Sequence, residues 1–302
     1  MVSPQTHAYI QKLRENPPFG ANGFNLADLR QCMATRRPPS DPAVSCRRTD
    51  IDGIPGEWVV APGADPAVRL LYLHGGGFVS GSSDFYLAMA ALLSSAARCA
   101  VLLPDYRLAP EHPFPAALED CLRAHVWITR TGPDGPAPAQ STFIAGDSAG
   151  GGLMLAALLT LRDQQRPMPN AGIALSPFAD LTLTADSIRT ERDRDPIMHP
   201  DCLPDFVTLY LAGADAHDPR ASPVLGDYHG VPPLLIQAGE HEVIRDDSLR
   251  VAAQARAHGV DVTLEIWPGM FHVFQAHDPQ LPEVRDAIAH LAAFLHAQAT
   301  KS

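Results

Sequence analysis

The sequence predicts an α/β protein, a mostly parallel, twisted sheet flanked by helices, with a helical cap over one end. Three observations lead there. Continuous apolar runs of strand length, such as RLLYL at 69–73 and AVLLP at 100–104, are what parallel strands covered on both faces look like. Stretches of helical period separate such runs, which is the pattern of βαβ units. Two glycine clusters fall where a strand run stops, the positions at which such a fold turns its backbone toward a ligand.

Taken in order, VSCRRTDI at 44–51 and EWVVAP at 57–62 read as an opening hairpin, turned by Asp52-Gly53 and Ile54-Pro55-Gly56. RLLYL, AVLLPDY, STFIAGD, AGIAL, PLLIQAG and VTLEIW supply six further strands. Between Pro115 and Arg130, Leu118, Cys121, Leu122, His125 and Val126 recur at the three-and-four spacing of one helical face, with Pro115 suited to its start. AGGGLMLAALLTLRDQQ predicts a helix directly after STFIAGDS, another spans about 247–258, and a closing one runs from about 282 to 297. Residues 1–43 and about 183–226 break this rhythm. They are expected to cover the active end of the sheet, 1–43 as an amino-terminal cap segment and 183–226 as a cap insertion within a catalytic domain of 44–302.

The totals exclude several functions. A formal charge of −11 and the lack of any Lys/Arg cluster oppose binding to nucleic acid. No run approaches the roughly 18 apolar residues of a membrane span, and the amino-terminal stretch lacks a basic start followed by an apolar core, so a cytoplasmic location is expected. Five scattered cysteines without a C-x-x-C pair read as reduced thiols. Thirteen histidines without paired ligand spacing give no metal site.

The chemistry is concentrated in Gly146-Asp147-Ser148-Ala149-Gly150-Gly151. A G-x-S-x-G segment between strand and helix lifts a serine hydroxyl above the sheet, and the helix start favours developing negative charge. Taken alone, this motif is equally a flexible turn with a helix-capping serine. A second element decides: His74-Gly75-Gly76-Gly77-Phe78 follows a strand, and its glycines let backbone N–H groups approach a substrate oxygen. Gly76, Gly77 and Ala149 are the expected oxyanion donors, with Gly75 a further candidate. The triple glycine lacks the lysine of a P-loop and the spacing of a dinucleotide fingerprint.

HGGGF at 74–78, DYRLAPEHPFPAALED at 105–120 and GDSAGG at 146–151 together resemble the hormone-sensitive-lipase-like branch of the α/β-hydrolases, over about residues 44–297. The resemblance implies an α/β-hydrolase fold and a serine carboxylesterase that needs no cofactor. Small soluble esters with short to medium acyl chains are its implied substrates, and Ser148 its nucleophile. His272, in PGMFHVF after the last strand, matches the family's histidine loop and stands last in the chain order of this fold's triad. The acid is aligned as Glu242, where the family commonly has aspartate in a D-P-L-R-D context and this chain has Glu242-Val243-Ile244-Arg245-Asp246; Glu240 and Asp246 are rivals. Asp147, Asp105, Arg107, Glu111 and His112 are expected to hold the elbow and its neighbouring loops. Position in the cap nominates Phe19, Phe24, Phe85, Phe206 and Tyr210 as substrate-lining residues. A homodimer is a family-level expectation. Two competing functions stay open: a silent binding protein, as in the plant gibberellin receptors that lost the histidine, and an amidase or acyltransferase.

Overall fold

In the computed structural model, which describes residues 2–15 and 24–299, eight strands make one sheet. They are β1 (Ser45–Ile51), β2 (Ile54–Val60), β3 (Asp65–Leu73), β4 (Cys99–Pro104), β5 (Ser141–Asp147), β6 (Ala171–Leu175), β7 (Leu234–Gly239) and β8 (Val262–Trp267). Their order is β1-β2-β4-β3-β5-β6-β7-β8. Only β2 runs against the others, pairing antiparallel with β1 and β4, while every pair from β4 to β8 is parallel. Every residue of β4, β5, β6 and β7 is buried. Since successive side chains point to opposite faces, both faces are covered.

The cover comes from α3 (Ser83–Ala97), packed against α9 (Pro282–Ala299), and from α4 (Ala116–Ile128), packed against α5 (Ala149–Asp163); α8 (Arg245–Ala257) lies against β7 and β8. The hairpin departs from expectation in its turn. Asp52 and Gly53 form it alone, both at positive φ (50° and 90°), as a two-residue loop of this kind requires. Ile54, Pro55 and Gly56 already pair with β1. Pro55 is tolerated because β2 meets β4 only from Gly56 onward. Trp267 is only partly buried, against Phe274 and His290, on the last strand of the sheet, which pairs with a neighbour on one side only.

Helices α1 (Pro4–Glu15) and α2 (Leu26–Met33) precede the sheet, and α6 (Ser187–Thr190) and α7 (Leu203–Leu211) lie between β6 and β7. The N–H of Ser3 and the hydroxyl of Thr6 donate to Glu283 at the start of α9. Asn25 caps α2 by accepting the N–H groups of Ala27 and Asp28. Arg30 fastens α2 over the glycine loop, donating to the carbonyls of Val79 and Ala109 at 2.8 Å each and pairing with Glu111. Among the described residues no helix is long and apolar enough to cross a membrane.

Candidate active site

Ser148 sits between the last residue of β5 and the first of α5, at φ 51° and ψ −121°. A positive φ is costly for a residue with a Cβ and marks a backbone held by its surroundings. The surroundings are the two glycines of the motif. A Cβ on Gly146 would lie 2.3 Å from the carbonyl oxygen of Gly150, and one on Gly150 would lie 2.0 Å from that of Leu73. The turn therefore closes only with glycine at both places.

The histidine and the acid reach this serine as a line of hydrogen bonds. His272 Nε2 lies 3.0 Å from Ser148 Oγ, and His272 Nδ1 lies 3.1 Å from Glu242 Oε2. Glu242 is fully buried, and its other oxygen accepts the Ser176 hydroxyl at 2.7 Å and the N–H of Gly239. Burial alone would pull the His272 pKa down; the hydrogen bond and charge of Glu242, with Asp195 and Asp147 behind, more than offset this and hold it above the ordinary value. The rival carboxylates are engaged elsewhere. Glu240 accepts the N–H of Gly269 at 2.8 Å, and Asp246 pairs with Arg245 and accepts the N–H of Ser187.

The loop after β3 faces the same point. Gly76 and Gly77 adopt positive φ (122° and 63°), and their N–H groups, like that of Ala149, meet no acceptor among the described residues. Gly75 differs from expectation. Its N–H donates to Asp147 Oδ1 and to the Tyr86 hydroxyl, both at 3.1 Å, so it points into the scaffold and is not free for a substrate oxygen. Asp147 thereby ties the elbow to the glycine loop, also accepting the hydroxyls of Tyr72 (2.9 Å) and Tyr86 (2.8 Å). Its burial pushes the carboxyl up to about 6, with the two tyrosines opposing that shift. His74 stacks on Tyr106 with ring centroids 4.2 Å apart, and burial lowers its pKa, so it is a neutral prop for the loop. Asp147→Ala would leave the two buried tyrosine hydroxyls without their acceptor, each costing about 1–3 kcal/mol, and the Gly75 N–H with the Tyr86 hydroxyl alone. The expected result is a clearly lowered melting temperature together with reduced turnover, measured by calorimetry and by ester hydrolysis.

The segment after β4 supports these parts as expected. Asp105 accepts the N–H of Ser83 at 2.6 Å, fixing the start of α3, Arg107 pairs with buried Asp120, and Glu111 anchors Arg30. His112 donates its N–H to the carbonyl of Leu108 at 2.9 Å, closing the turn within that segment.

Ser148 and His272 open into a cavity of about 550 Å³. Of the nominated lining residues, Phe85 and Phe206 face it, whereas Phe24 stands behind Phe206 in an edge contact with ring centroids 5.0 Å apart. Tyr210 is a correction: it is core, because one turn beyond Phe206 on the same face of α7 it stacks on Phe78, with centroids 3.9 Å apart, and meets Phe114 edge-on. Phe19 lies outside the described residues. Much of the wall was not legible as such: Leu29 and Met33 from α2, Met89 from α3, and Ile197, Met198 and Cys202 from the stretch between β6 and β7. Tyr9 and His277 meet there through a 3.0 Å hydrogen bond, with burial pushing His277 down to about 4 and so keeping it neutral.

A family model described as the alpha/beta hydrolase fold matches residues 70–276. The chain is 43% identical to an acetyl-hydrolase of Streptomyces hygroscopicus, over 79% of this chain and 78% of that one. Two crystal structures are similar over 99% of both chains. One is EstE5 soaked with p-nitrophenyl butyrate (TM-score 0.92, 42% identity). The other is an esterase from the bacterial hormone-sensitive lipase family (TM-score 0.88, 38% identity).

Proposed function

Because the chain belongs to the hormone-sensitive-lipase-like branch of the α/β-hydrolase family and is a carboxylic ester hydrolase, we propose that Ser148, His272 and Glu242 form its catalytic triad. Its proposed substrates are small soluble esters of short to medium acyl chain. The observation that carries this is the line from Ser148 Oγ through the His272 ring to Glu242 Oε2, with bonds of 3.0 and 3.1 Å. Ser148 Oγ attacks the ester carbonyl as His272 Nε2 takes its proton. The tetrahedral intermediate then collapses, the C–O bond to the alcohol breaks, and the same proton goes to the departing oxygen. Water, deprotonated by His272 in its turn, cleaves the acyl-enzyme and restores Ser148. The free N–H groups of Gly76, Gly77 and Ala149 would receive the oxyanion, an interaction for which each donor is commonly worth about 10²–10³ in rate.

The apolar wall of sulfur and aliphatic side chains, drawn from α2 and from the stretch between β6 and β7, supports reading residues 1–43 and 183–226 as the cap that selects the acyl chain. A volume of about 550 Å³ lies within the range of small-molecule sites. The end of the sheet at β8 is where the same proposal would place a homodimer contact.

The test is hydrolysis of p-nitrophenyl acetate, butyrate, octanoate and palmitate, with mass-spectrometric mapping of the serine labelled by a sulfonyl fluoride. Butyrate or octanoate should exceed palmitate in kcat/KM by roughly tenfold or more, and the label should fall on Ser148. Label on another serine, or a profile rising to palmitate, would remove this proposal. Since His272 must be neutral to act as base and its pKa is raised, kcat/KM should fall with decreasing pH along a limb lying above the ordinary histidine value of 6.5.

A further inference from the structure

Asp195 belongs to the stretch between β6 and β7, outside the sheet, yet it is bonded to the turn that carries Glu242. Its Oδ2 accepts the N–H of Val243, the residue after Glu242, at 3.3 Å. Its Oδ1 accepts the N–H groups of Ile197 at 2.9 Å and Met198 at 3.2 Å, both of which line the cavity beside Ser148 and His272. One carboxylate thus joins the acid turn to the substrate wall.

Asp195 ends a row of three. Ser187, Glu191 and Asp195 stand four residues apart, and each bonds to the segment 240–246. Ser187 donates its hydroxyl to the carbonyl of Val243 at 2.9 Å, and Glu191 lies 3.3 Å from both His241 Nδ1 and Arg245 Nη1. Asp195 also acts electrostatically on His272, favouring its protonated form. The other charged or titratable groups around that imidazole are Glu242, Asp147 and His277. Burial pushes Asp195 up to about 6, with His272 opposing and Glu242 adding to the shift.

We propose that Asp195 is a positioning residue for the Glu242–His272 pair: it pins the acid turn through Val243 and supplies a second negative charge that favours the imidazolium formed as Ser148 attacks. This rests on the triad proposed above. It also makes the stretch that walls the cavity part of the apparatus that sets the base, so substrate wall and catalytic acid move as one.

The experiment combines kcat/KM against pH for p-nitrophenyl butyrate with NMR titration of the His272 ring, in the wild type, Asp195→Asn and Asp195→Glu. Asp195→Asn should lower kcat by about tenfold. Removing one of the acidic groups lowers the His272 pKa, so the acid limb and the NMR midpoint should both move down by about half a pH unit, and Asp195→Glu should return them toward the wild type. If Asp195→Asn does not fold, Asp195→Ser removes the same charge with a smaller side chain. An unmoved limb and midpoint overturn the proposal even where kcat falls, since a purely structural role predicts that pattern. The NMR titration needs no substrate, so a shifted midpoint in a protein without ester hydrolysis would uphold the role of Asp195 on His272 while rejecting the esterase assignment.

Discussion

Ser148→Ala is expected to lower kcat on p-nitrophenyl butyrate by on the order of 10⁵- to 10⁶-fold, the scale reached when a serine hydrolase loses its nucleophile. The fold should be unaffected. The elbow is fixed by contacts that the hydroxyl does not make: the N–H of Ser148 donates to the carbonyl of Leu175 at 2.9 Å, and its carbonyl accepts the N–H groups of Gly152 and Phe178. Binding should also survive, because the cavity wall and the free N–H groups are untouched. The variant should therefore bind a slowly hydrolysed ester with nearly the wild-type Kd. Ser148→Gly offers a second readout on the same residue. At φ 51° and ψ −121° any side chain costs about 1–3 kcal/mol, whereas glycine accepts this region freely and loses only its larger unfolded-state entropy. Ser148→Gly should thus be as inactive as Ser148→Ala and melt at an equal or higher temperature. Substantial hydrolysis by either variant would show that another group performs the attack.

What is local in this molecule can be read from its sequence. The second half of β3 and the strands β4 to β7 stand out as mainly apolar runs because both faces are covered, and the elbow is visible because only glycine fits at 146 and 150. Helix α3 announces itself poorly. Its SDFYLAMAALLSSAA places small and apolar residues nearly all round, as suits a helix enclosed between sheet and α9, and leaves no polar stripe to give the period. Similar apolar spacing cannot separate core from cavity, which is why Tyr210 was nominated for the wall while Met33 and Met198 were not. The fate of the Gly75 N–H depends on Asp147, seventy-two residues away. Asp195 is harder still: nothing near it in the chain signals the contact it makes with Val243 across forty-eight residues. Among the acids, the family alignment favours Glu242, but the neighbouring sequence leaves Glu240 and Asp246 as rivals. Their tertiary partners separate them.

That separation has a kinetic consequence. Glu242→Gln should keep the fold and lower kcat by as much as about 10⁴, the loss seen when a triad acid becomes an amide. The geometry supplies the reason. Glu242 Oε1 accepts two donors, from Ser176 and Gly239, so a glutamine would keep its carbonyl oxygen there and turn its NH₂ toward His272. Facing a donor, His272 Nδ1 would have to accept, which places the ring proton on Nε2, opposite Ser148 Oγ. That tautomer cannot take the serine proton. The lost negative charge would also lower the His272 pKa, so whatever activity remains should show its acid limb at lower pH than the wild type. Glu242→Asp separates charge from reach. It restores the anion but shortens the side chain by one methylene in a site where both oxygens are already bonded, so it should recover the pH limb more fully than kcat. Near-normal turnover in Glu242→Gln would instead assign the acid's role to another carboxylate, and Asp195, bonded to the same turn, would be the first to substitute.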